Sequence, residues 1–167
     1  MTSVVLVGPM GVGKTTVGKK LAKVLGLRFI DTDQVFVDQH GNINEFFETQ
    51  GEENFRDLEE TILAKLLAEQ AVVATGGGVV LSQRNRALLQ DFFVVYLSTD
   101  GRHMASRLSG GGRPLLKNGL ADWRRIYESR KPLYEEVAKL TIDTSSASLR
   151  NIIETITSGL ADFERGN

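Results

Sequence analysis

The stretch Gly8-Pro9-Met10-Gly11-Val12-Gly13-Lys14-Thr15 matches the pattern G-x-x-x-x-G-K-S/T in full. An apolar run (Val4-Val5-Leu6-Val7) precedes it and apolar residues at helical spacing follow it, so the motif stands between a predicted strand and a predicted helix. In that setting, glycines let successive backbone N–H groups face phosphate oxygens, and the helix N-terminus adds positive charge. The stretch therefore predicts a nucleoside triphosphate site rather than a plain glycine-rich turn.

Two side chains of the motif have defined chemistry. Lys14 can reach the β- and γ-phosphates of a nucleotide, and the hydroxyl of Thr15 can ligate Mg²⁺. The remaining question is what the chain does with the γ-phosphate.

Composition excludes several classes of protein. The chain has 167 residues, 41% hydrophobic and 25% charged, which is ordinary for one globular domain covering residues 1–167. A net charge of −1 provides no general basic field for nucleic acid. With no cysteine, thiolate metal sites and disulfides are impossible, which fits a cytoplasmic location. We expect no secretory signal and no membrane partner, since the longest apolar run, residues 92–97, is far below the ~20 residues of a spanning helix.

Strand and helix patterns alternate along the chain, which predicts an α/β fold. The predicted strands are residues 4–7, 27–30, 71–74, 92–97 and 140–142. The first predicted helix runs from Lys14 to near Gly26. It is followed by a polar helical segment at 34–44, which Gly41 breaks, and by a segment at 43–70, which Gly51 divides into two helices. Ser82 caps a helix that ends near Gln90, Ser98 or Thr99 caps one that runs through Leu108, and two further helices cover residues 121–137 and 148–163. We expect three layers, with a five-stranded parallel sheet covered by helices on both faces. Ligands of such sheets bind at the carboxyl ends of the strands.

Two carboxylates follow the second predicted strand. P-loop enzymes usually take a metal-side Asp from the end of a buried strand, but the third strand here runs into Thr75 and Gly76. Asp31 is the best-placed substitute for Mg²⁺, with capping of the next helix as its alternative role. Asp33 would share its side of an extended chain and could accept a proton from a substrate hydroxyl, with helix capping again the alternative.

Three further features have both a functional and a plain structural interpretation. The run Gly76, Gly77 and Gly78 lets a small ligand approach the backbone closely, although glycines also serve turns. By spacing alone, Arg56 and Arg130 look like members of solvated helix faces, with Arg56 paired to Glu52 or Glu60 and Arg130 near Glu128 and Lys131. The glycine-rich segment 109–119, which holds Arg113, suggests either a lid over the nucleotide or a surface loop.

In order and spacing, these motifs resemble those of the shikimate kinase family. The matching stretches are the phosphate loop, Asp31-Thr32-Asp33, Gly51-Glu52-Glu53-Asn54-Phe55-Arg56, Thr75-Gly76-Gly77-Gly78, Arg113-Pro114-Leu115-Leu116 and Arg130-Lys131-Pro132-Leu133-Tyr134. The resemblance implies a P-loop kinase of nucleoside monophosphate kinase-like fold that transfers the γ-phosphoryl group of ATP to the 3-hydroxyl of shikimate. It also implies a monomer with a substrate-binding segment at about 33–61 and a lid at about 109–120.

The resemblance implies a role for each matching residue. The implied catalytic residues are Asp33, Lys14 and Arg113, and the implied Mg²⁺ ligands are Thr15 and Asp31. Shikimate would be bound by Asp33, Arg56, Gly76, Gly77, Gly78 and Arg130. ATP would be bound by Gly11, Val12, Gly13, Lys14, Thr15, Thr16, Arg107 and Arg113. Arg107 is the candidate to stack on adenine. These assignments agree chemically, because guanidinium groups suit a carboxylate and a carboxylate suits hydroxyls.

Other functions compatible with a P-loop are less well supported. A kinase of the same architecture could act on gluconate or a nucleoside monophosphate. A regulatory GTPase would need N-K-x-D for guanine, which the chain lacks, and its D-x-x-G at residues 38–41 does not end a buried strand. An ATP-binding assembly module would show no turnover of a small molecule.

Overall fold

The computed structural model describes residues 2–108 and 116–167. One parallel sheet has the order β2-β3-β1-β4-β5, with β1 Val4–Val7, β2 Arg28–Asp31, β3 Ala71–Ala74, β4 Phe93–Ser98 and β5 Leu140–Asp143. The helices are α1 Lys14–Leu25, α2 Thr32–His40, α3 Ile43–Leu66, α4 Gln83–Leu89, α5 Met104–Arg107, α6 Leu120–Val137 and α7 Leu149–Gly166, and a short 3₁₀ helix covers Val79–Leu81. The predicted five-stranded parallel α/β fold is confirmed.

Local sequence signals set several helix ends. Gly26 adopts a left-handed conformation (φ 68°) just past α1, and its N–H donates to the last carbonyls of that helix. Ser82 caps α4 by accepting a hydrogen bond from the Asn85 N–H at 3.1 Å. Gly51, with φ 82° and ψ 165°, interrupts α3, which confirms the predicted division of that segment.

The helix after β4 is shorter than predicted, and its predicted caps are wrong. Ser98 ends β4, and the Thr99 hydroxyl accepts from the Gly101 N–H at 3.1 Å in a local turn. The carboxylate of Asp100 accepts from the Arg102 N–H at 2.9 Å. These side chains compete for the backbone N–H groups and stabilise a turn, so α5 begins only at Met104.

The core has one layer on each face of the sheet. In β1, Val4 and Leu6 pack with α1 and α7, whereas Val5 and Val7 pack on the opposite face with apolar residues of α4 and α6. All four residues are fully buried, because a central parallel strand is covered on both faces. A separate cluster of Phe36, Phe55 and Ile62 joins α2 to α3.

The sheet order places the functional loops side by side. Leu6 of β1 is in register with Ala74 of β3, and Ala74 is in register with Asp31 of β2. The loops that follow these three strands therefore emerge at one edge of the sheet. No helix in the described ranges is long and apolar enough to cross a membrane.

Candidate active site

The phosphate loop joins β1 to α1 in the conformation that its glycines permit. Gly8, Gly11 and Gly13 have φ values of 149°, 80° and 111°. A Cβ on Gly8 would lie 2.5 Å from the carbonyl oxygen of Leu97, so only glycine lets the loop pass β4 this closely. Nζ of Lys14 donates to the carbonyls of Gly8 at 2.6 Å and Pro9 at 2.9 Å, which holds the amine over the loop.

Asp31 caps α2, which is one of its two predicted roles, and it also contacts Thr15. Its Oδ1 caps α2 by accepting from the N–H groups of Asp33 at 2.9 Å and Gln34 at 3.3 Å. Its Oδ2 accepts a hydrogen bond from the hydroxyl of Thr15 at 3.2 Å. A hard carboxylate oxygen and a hydroxyl at this spacing fit Mg²⁺, which takes few protein ligands and keeps several waters. Within the described ranges, no group of three His, Cys, Asp or Glu side chains could form an all-protein metal cage.

Asp33 belongs to the first turn of α2, so the prediction that it lies in extended chain on the same side as Asp31 is wrong. The cap made by Asp31 starts the helix before Asp33 is reached. Its carboxylate nevertheless faces the glycine run, since a Cβ on Gly76 would lie 2.8 Å from Oδ1. Burial, and then the charge of Asp31, raises the pKa of Asp33, while Lys14 and Arg56 oppose that rise. A raised pKa makes this carboxylate a better proton acceptor.

Arg56 is mostly buried, contrary to the solvated face that its spacing indicated. Its side chain is 17% exposed and donates from Nη1 to Oε1 of Glu59 at 3.1 Å. Nε lies 3.5 Å from the carboxylate of Glu52, as the spacing predicted. Glu60 is not its partner, because that carboxylate accepts from the Ser82 hydroxyl at 2.5 Å.

Glu59 is a site residue that the sequence analysis missed. Its side chain is 5% exposed and lies in the same cavity as Arg56. Burial raises its pKa from 4.5 to about 7, against the opposing charge and hydrogen bond of Arg56. Among the residues that the structure describes, none donates a hydrogen bond to its Oε2. Its position three residues after Arg56 on one helix was the available signal.

Arg130 is also buried, with 6% of the residue exposed, so the solvated-face interpretation is wrong for it as well. The outer surface of α6 instead carries the ion pair of Lys131 with Glu128 at 2.8 Å. Burial is the main cause that lowers the pKa of Arg130, and the positive charge of Arg56 acts in the same direction. Because an arginine stays protonated at neutral pH, both guanidinium groups keep their positive charge inside the protein.

The glycine run makes room for the charged side chains around it. A Cβ on Gly78 would lie 2.3 Å from Nη1 of Arg56, and one on Gly77 would lie 3.5 Å from Nη1 of Arg130. With the close approach of Asp33 to Gly76, each glycine admits a different charged group. A single turn glycine would not explain this arrangement.

One cavity of about 380 Å³ unites most of the predicted site. The predicted residues that line it are Gly11, Gly13, Lys14, Thr15, Thr16, Asp33, Arg56, Gly76, Gly77, Gly78 and Arg130. Ile43, Phe47 and Phe55 give it an apolar wall that the sequence analysis did not assign to the site. A small ligand with a carboxylate and hydroxyl groups would find complementary partners next to the phosphate loop.

Besides Asp31, which contacts the lining residue Thr15, three predicted residues lie elsewhere or outside the described residues. Val12 is buried in the core, and its N–H donates to Pro9 within the loop at 3.3 Å. Arg107 lies along the outside of the loop and donates from Nη1 to the carbonyls of Gly11 at 3.0 Å and Val12 at 3.4 Å. Arg113 and most of the predicted lid lie outside the described residues.

A family model and several known proteins of similar sequence carry the name shikimate kinase. The family model "Shikimate kinase" matches residues 10–161. The shikimate kinase of Thioalkalivibrio sulfidiphilus is 42% identical to the chain, with 93% of this chain and 85% of that protein covered. The shikimate kinase of Enterococcus faecalis is 40% identical, with coverages of 93% and 96%.

Solved structures agree with the sequence matches. A shikimate kinase from Acinetobacter baumannii in complex with shikimate superposes with a TM-score of 0.91 and 38% identity, covering 97% of this chain and 94% of that one. A gluconokinase from Sinorhizobium meliloti superposes with a TM-score of 0.68 at 21% identity, covering 99% and 94%, and shows the shared fold alone.

Proposed function

The chain belongs to the shikimate kinase family, and we infer that it transfers the γ-phosphoryl group of ATP to the 3-hydroxyl of shikimate. The products are shikimate 3-phosphate and ADP, and the reaction serves aromatic amino-acid biosynthesis. One observation carries this inference: Arg56, Arg130 and Asp33 line the same cavity as Lys14 and Thr15. Groups suited to a hydroxylated carboxylic acid thus stand beside groups suited to a triphosphate.

Arg56 and Arg130 bind the carboxylate of shikimate in this proposal. Their planar guanidinium groups can each donate two parallel hydrogen bonds, and burial strengthens the attraction to an anion. Binding of an anion also offsets the repulsion between the two arginines, since the positive charge of Arg56 acts on Arg130. The carboxylate end fixes the orientation of the ring, and the glycine run lets the ligand contact the backbone.

Asp33 accepts the proton of the 3-hydroxyl. The hydroxyl oxygen attacks the γ-phosphorus, and the bond between that phosphorus and the β–γ bridging oxygen breaks, so ADP leaves with the electron pair. Burial of Asp33 raises its pKa, which favours proton uptake. Most of the acceleration in phosphoryl transfer comes from positioning and charge stabilisation, with the base as one component.

Lys14, Arg113 and Mg²⁺ provide positive charge for the phosphates. When bound, Mg²⁺ would neutralise charge on the β- and γ-phosphates, with the Thr15 hydroxyl and the Asp31 carboxylate holding it directly or through water. Gly11, Val12, Gly13 and Thr16 belong to the loop and helix end that receive the phosphates. We assign Arg107 to the ATP side of the site and Arg113 to a lid at about residues 109–120.

We also propose a single-domain monomer in the cytoplasm that acts on two small molecules without a nucleic acid or membrane partner. One chain supplies both the phosphate-loop residues and the two arginines of the cavity, and ATP is a cytoplasmic metabolite. Size-exclusion chromatography with light scattering tests the monomer: a particle near 18.4 kDa is expected.

A coupled assay of ADP release tests the function. The full chain with ATP and Mg²⁺ should release ADP only when shikimate is added, and mass spectrometry should show shikimate carrying one phosphate. Gluconate and nucleoside monophosphates serve as competing acceptors, and GTP as a competing donor. If ADP release depends on gluconate or a nucleotide and not on shikimate, the proposed function is wrong.

A further inference from the structure

Helix α6 presents three buried side chains toward the active site from one face. Trp123 and Arg130 are separated by seven residues, and Tyr134 follows four residues later. Since an α-helix has about 3.6 residues per turn, these positions lie within one stripe along the helix. Each of the three is at most 6% exposed.

Trp123 connects this helix to the phosphate loop. Its indole N–H donates to the carbonyl of Met10 at 2.8 Å, across 113 positions of the sequence. The ring has little freedom to move, because it is 1% exposed and lies 5.2 Å from the ring of Tyr127 between centroids. A Cβ on Gly101 would lie 3.0 Å from its Cζ3, so the indole fills the space on that side.

Tyr134 connects the same helix to the glycine run. Its hydroxyl donates to the carbonyl of Gly77 at 2.5 Å. Gly77 is also adjacent to the loop, since a Cβ there would lie 3.3 Å from Cγ of Met10. The helix therefore bonds to both backbone segments that border the cavity, and Arg130 stands between the two bonding residues in the sequence of the helix.

We propose that Trp123 is a positioning residue that sets the phosphate loop at a fixed distance from Arg130. The two residues are separated by about 10 Å of helix axis, given a rise of about 1.5 Å per residue. This spacing fixes where the γ-phosphate lies relative to a substrate whose carboxylate is bound by Arg130. The inference rests on the proposed function for the identity of that substrate, but the contact between helix and loop does not depend on it.

Trp123→Phe keeps one six-membered aromatic ring and removes the pyrrole ring with its N–H. Tyr127→Phe, which removes a buried hydroxyl on the same helix, is the control. Tyr127 lies one turn further along α6, and its hydroxyl bonds Tyr96 at 2.6 Å and the Thr99 N–H at 3.3 Å without touching the loop. Both variants lose buried hydrogen bonds and should show a fall in melting temperature. The fall should be larger for Trp123→Phe, because that variant also loses the buried atoms of the pyrrole ring. We expect Trp123→Phe alone to lower kcat, by roughly 3- to 10-fold, with the KM for shikimate within about twofold.

The kinetic outcomes decide the proposal. A wild-type kcat in Trp123→Phe would overturn it, as would an equal loss of kcat in Tyr127→Phe. A KM effect without a kcat effect would also overturn it, since that result reports binding and not alignment.

Fluorescence provides a readout that does not require turnover. Trp123 is the only tryptophan of the chain, so its emission reports on the contact with Met10. Titration of the wild type with ATP should change that emission with the same Kd that calorimetry gives. If ATP binds and the emission stays constant, the proposed coupling is wrong. If the emission responds but shikimate is not phosphorylated, the proposed function fails and the contact between helix and loop stands.

Discussion

Replacement of Gly78 by alanine tests whether the position of the Arg56 guanidinium controls substrate binding. A Cβ at residue 78 would lie 2.3 Å from Nη1, 2.5 Å from Cζ and 2.6 Å from Nη2 of Arg56. The backbone itself accepts alanine, since φ is −96° and ψ is 6°. The guanidinium must therefore move by about 1 Å to reach an ordinary contact of roughly 3.5 Å.

That displacement should weaken shikimate binding far more than it destabilises the fold. It would lengthen the 3.1 Å hydrogen bond from Arg56 to Glu59 and move the donors away from the substrate carboxylate. Hydrogen bonds to charged groups contribute about 1.5–3 kcal/mol, which corresponds to a rise of roughly 10- to 100-fold in the KM for shikimate. The free energy of unfolding should change by less than about 1 kcal/mol, because the displaced group ends a flexible side chain.

Steady-state kinetics and thermal unfolding of Gly78→Ala measure the two effects separately. The KM for ATP should stay within about twofold of the wild type, since ATP does not contact Arg56 in this assignment. Gly166→Ala is the control, because nothing lies within 4 Å of a Cβ at that position. Unchanged shikimate kinetics in a stably folded Gly78→Ala would refute the role given to Arg56, and equal rises in both KM values would refute its specificity.

Three other substitutions probe the remaining assignments. Arg130→Ala should raise the KM for shikimate by about 100-fold or more, because the lost hydrogen-bond donors are charged and buried. The KM for ATP should change less than about threefold. Equal rises in both KM values would contradict the role of Arg130 in binding the shikimate carboxylate. Asp31→Asn keeps a helix cap but removes the charge beside Thr15. In a Mg²⁺ titration at saturating ATP, the variant should need several-fold more metal for half-maximal activity, with little change in melting temperature. An unaltered Mg²⁺ requirement would contradict a role of Asp31 in the metal site. Burial raises the pKa of Glu59 from 4.5 to about 7, so its carboxyl holds a proton more tightly in the folded protein than in the unfolded chain. The resulting stabilisation of the fold is complete below pH 4.5 and is lost as the pH rises through 7. Denaturant unfolding should show a fall of up to about 3 kcal/mol over that window, at about 1.36 kcal/mol per unit of pKa, and Glu59→Gln should flatten it. A variant that keeps the wild-type slope would show that Glu59 does not titrate in this way.

Features that depend on local chemistry could be predicted from the residues alone. The phosphate loop was identified because glycines at fixed spacing, followed by Lys14 and Thr15, specify a backbone path and its charge. The caps at Ser82 and Asp31 and the break at Gly51 follow equally from near neighbours in the chain. The alternation of strands with helices is enough to predict a parallel sheet, since the central strands β1 and β3 are apolar throughout.

Burial and long-range partners were decided only by the tertiary structure. Helical periodicity shows that Arg56 and Arg130 lie on particular faces, but it cannot show that the glycine run and the phosphate loop cover those faces. Nothing in the sequence distinguishes Glu59 from its acidic neighbours Glu52, Glu53 and Glu60, and only packing around it raises its pKa. The bond from Trp123 to Met10 joins residues that no local pattern relates. From sequence alone, then, the phosphate loop indicates a nucleotide. The side chains that we propose bind the second substrate acquire their charge environment only when distant segments enclose them.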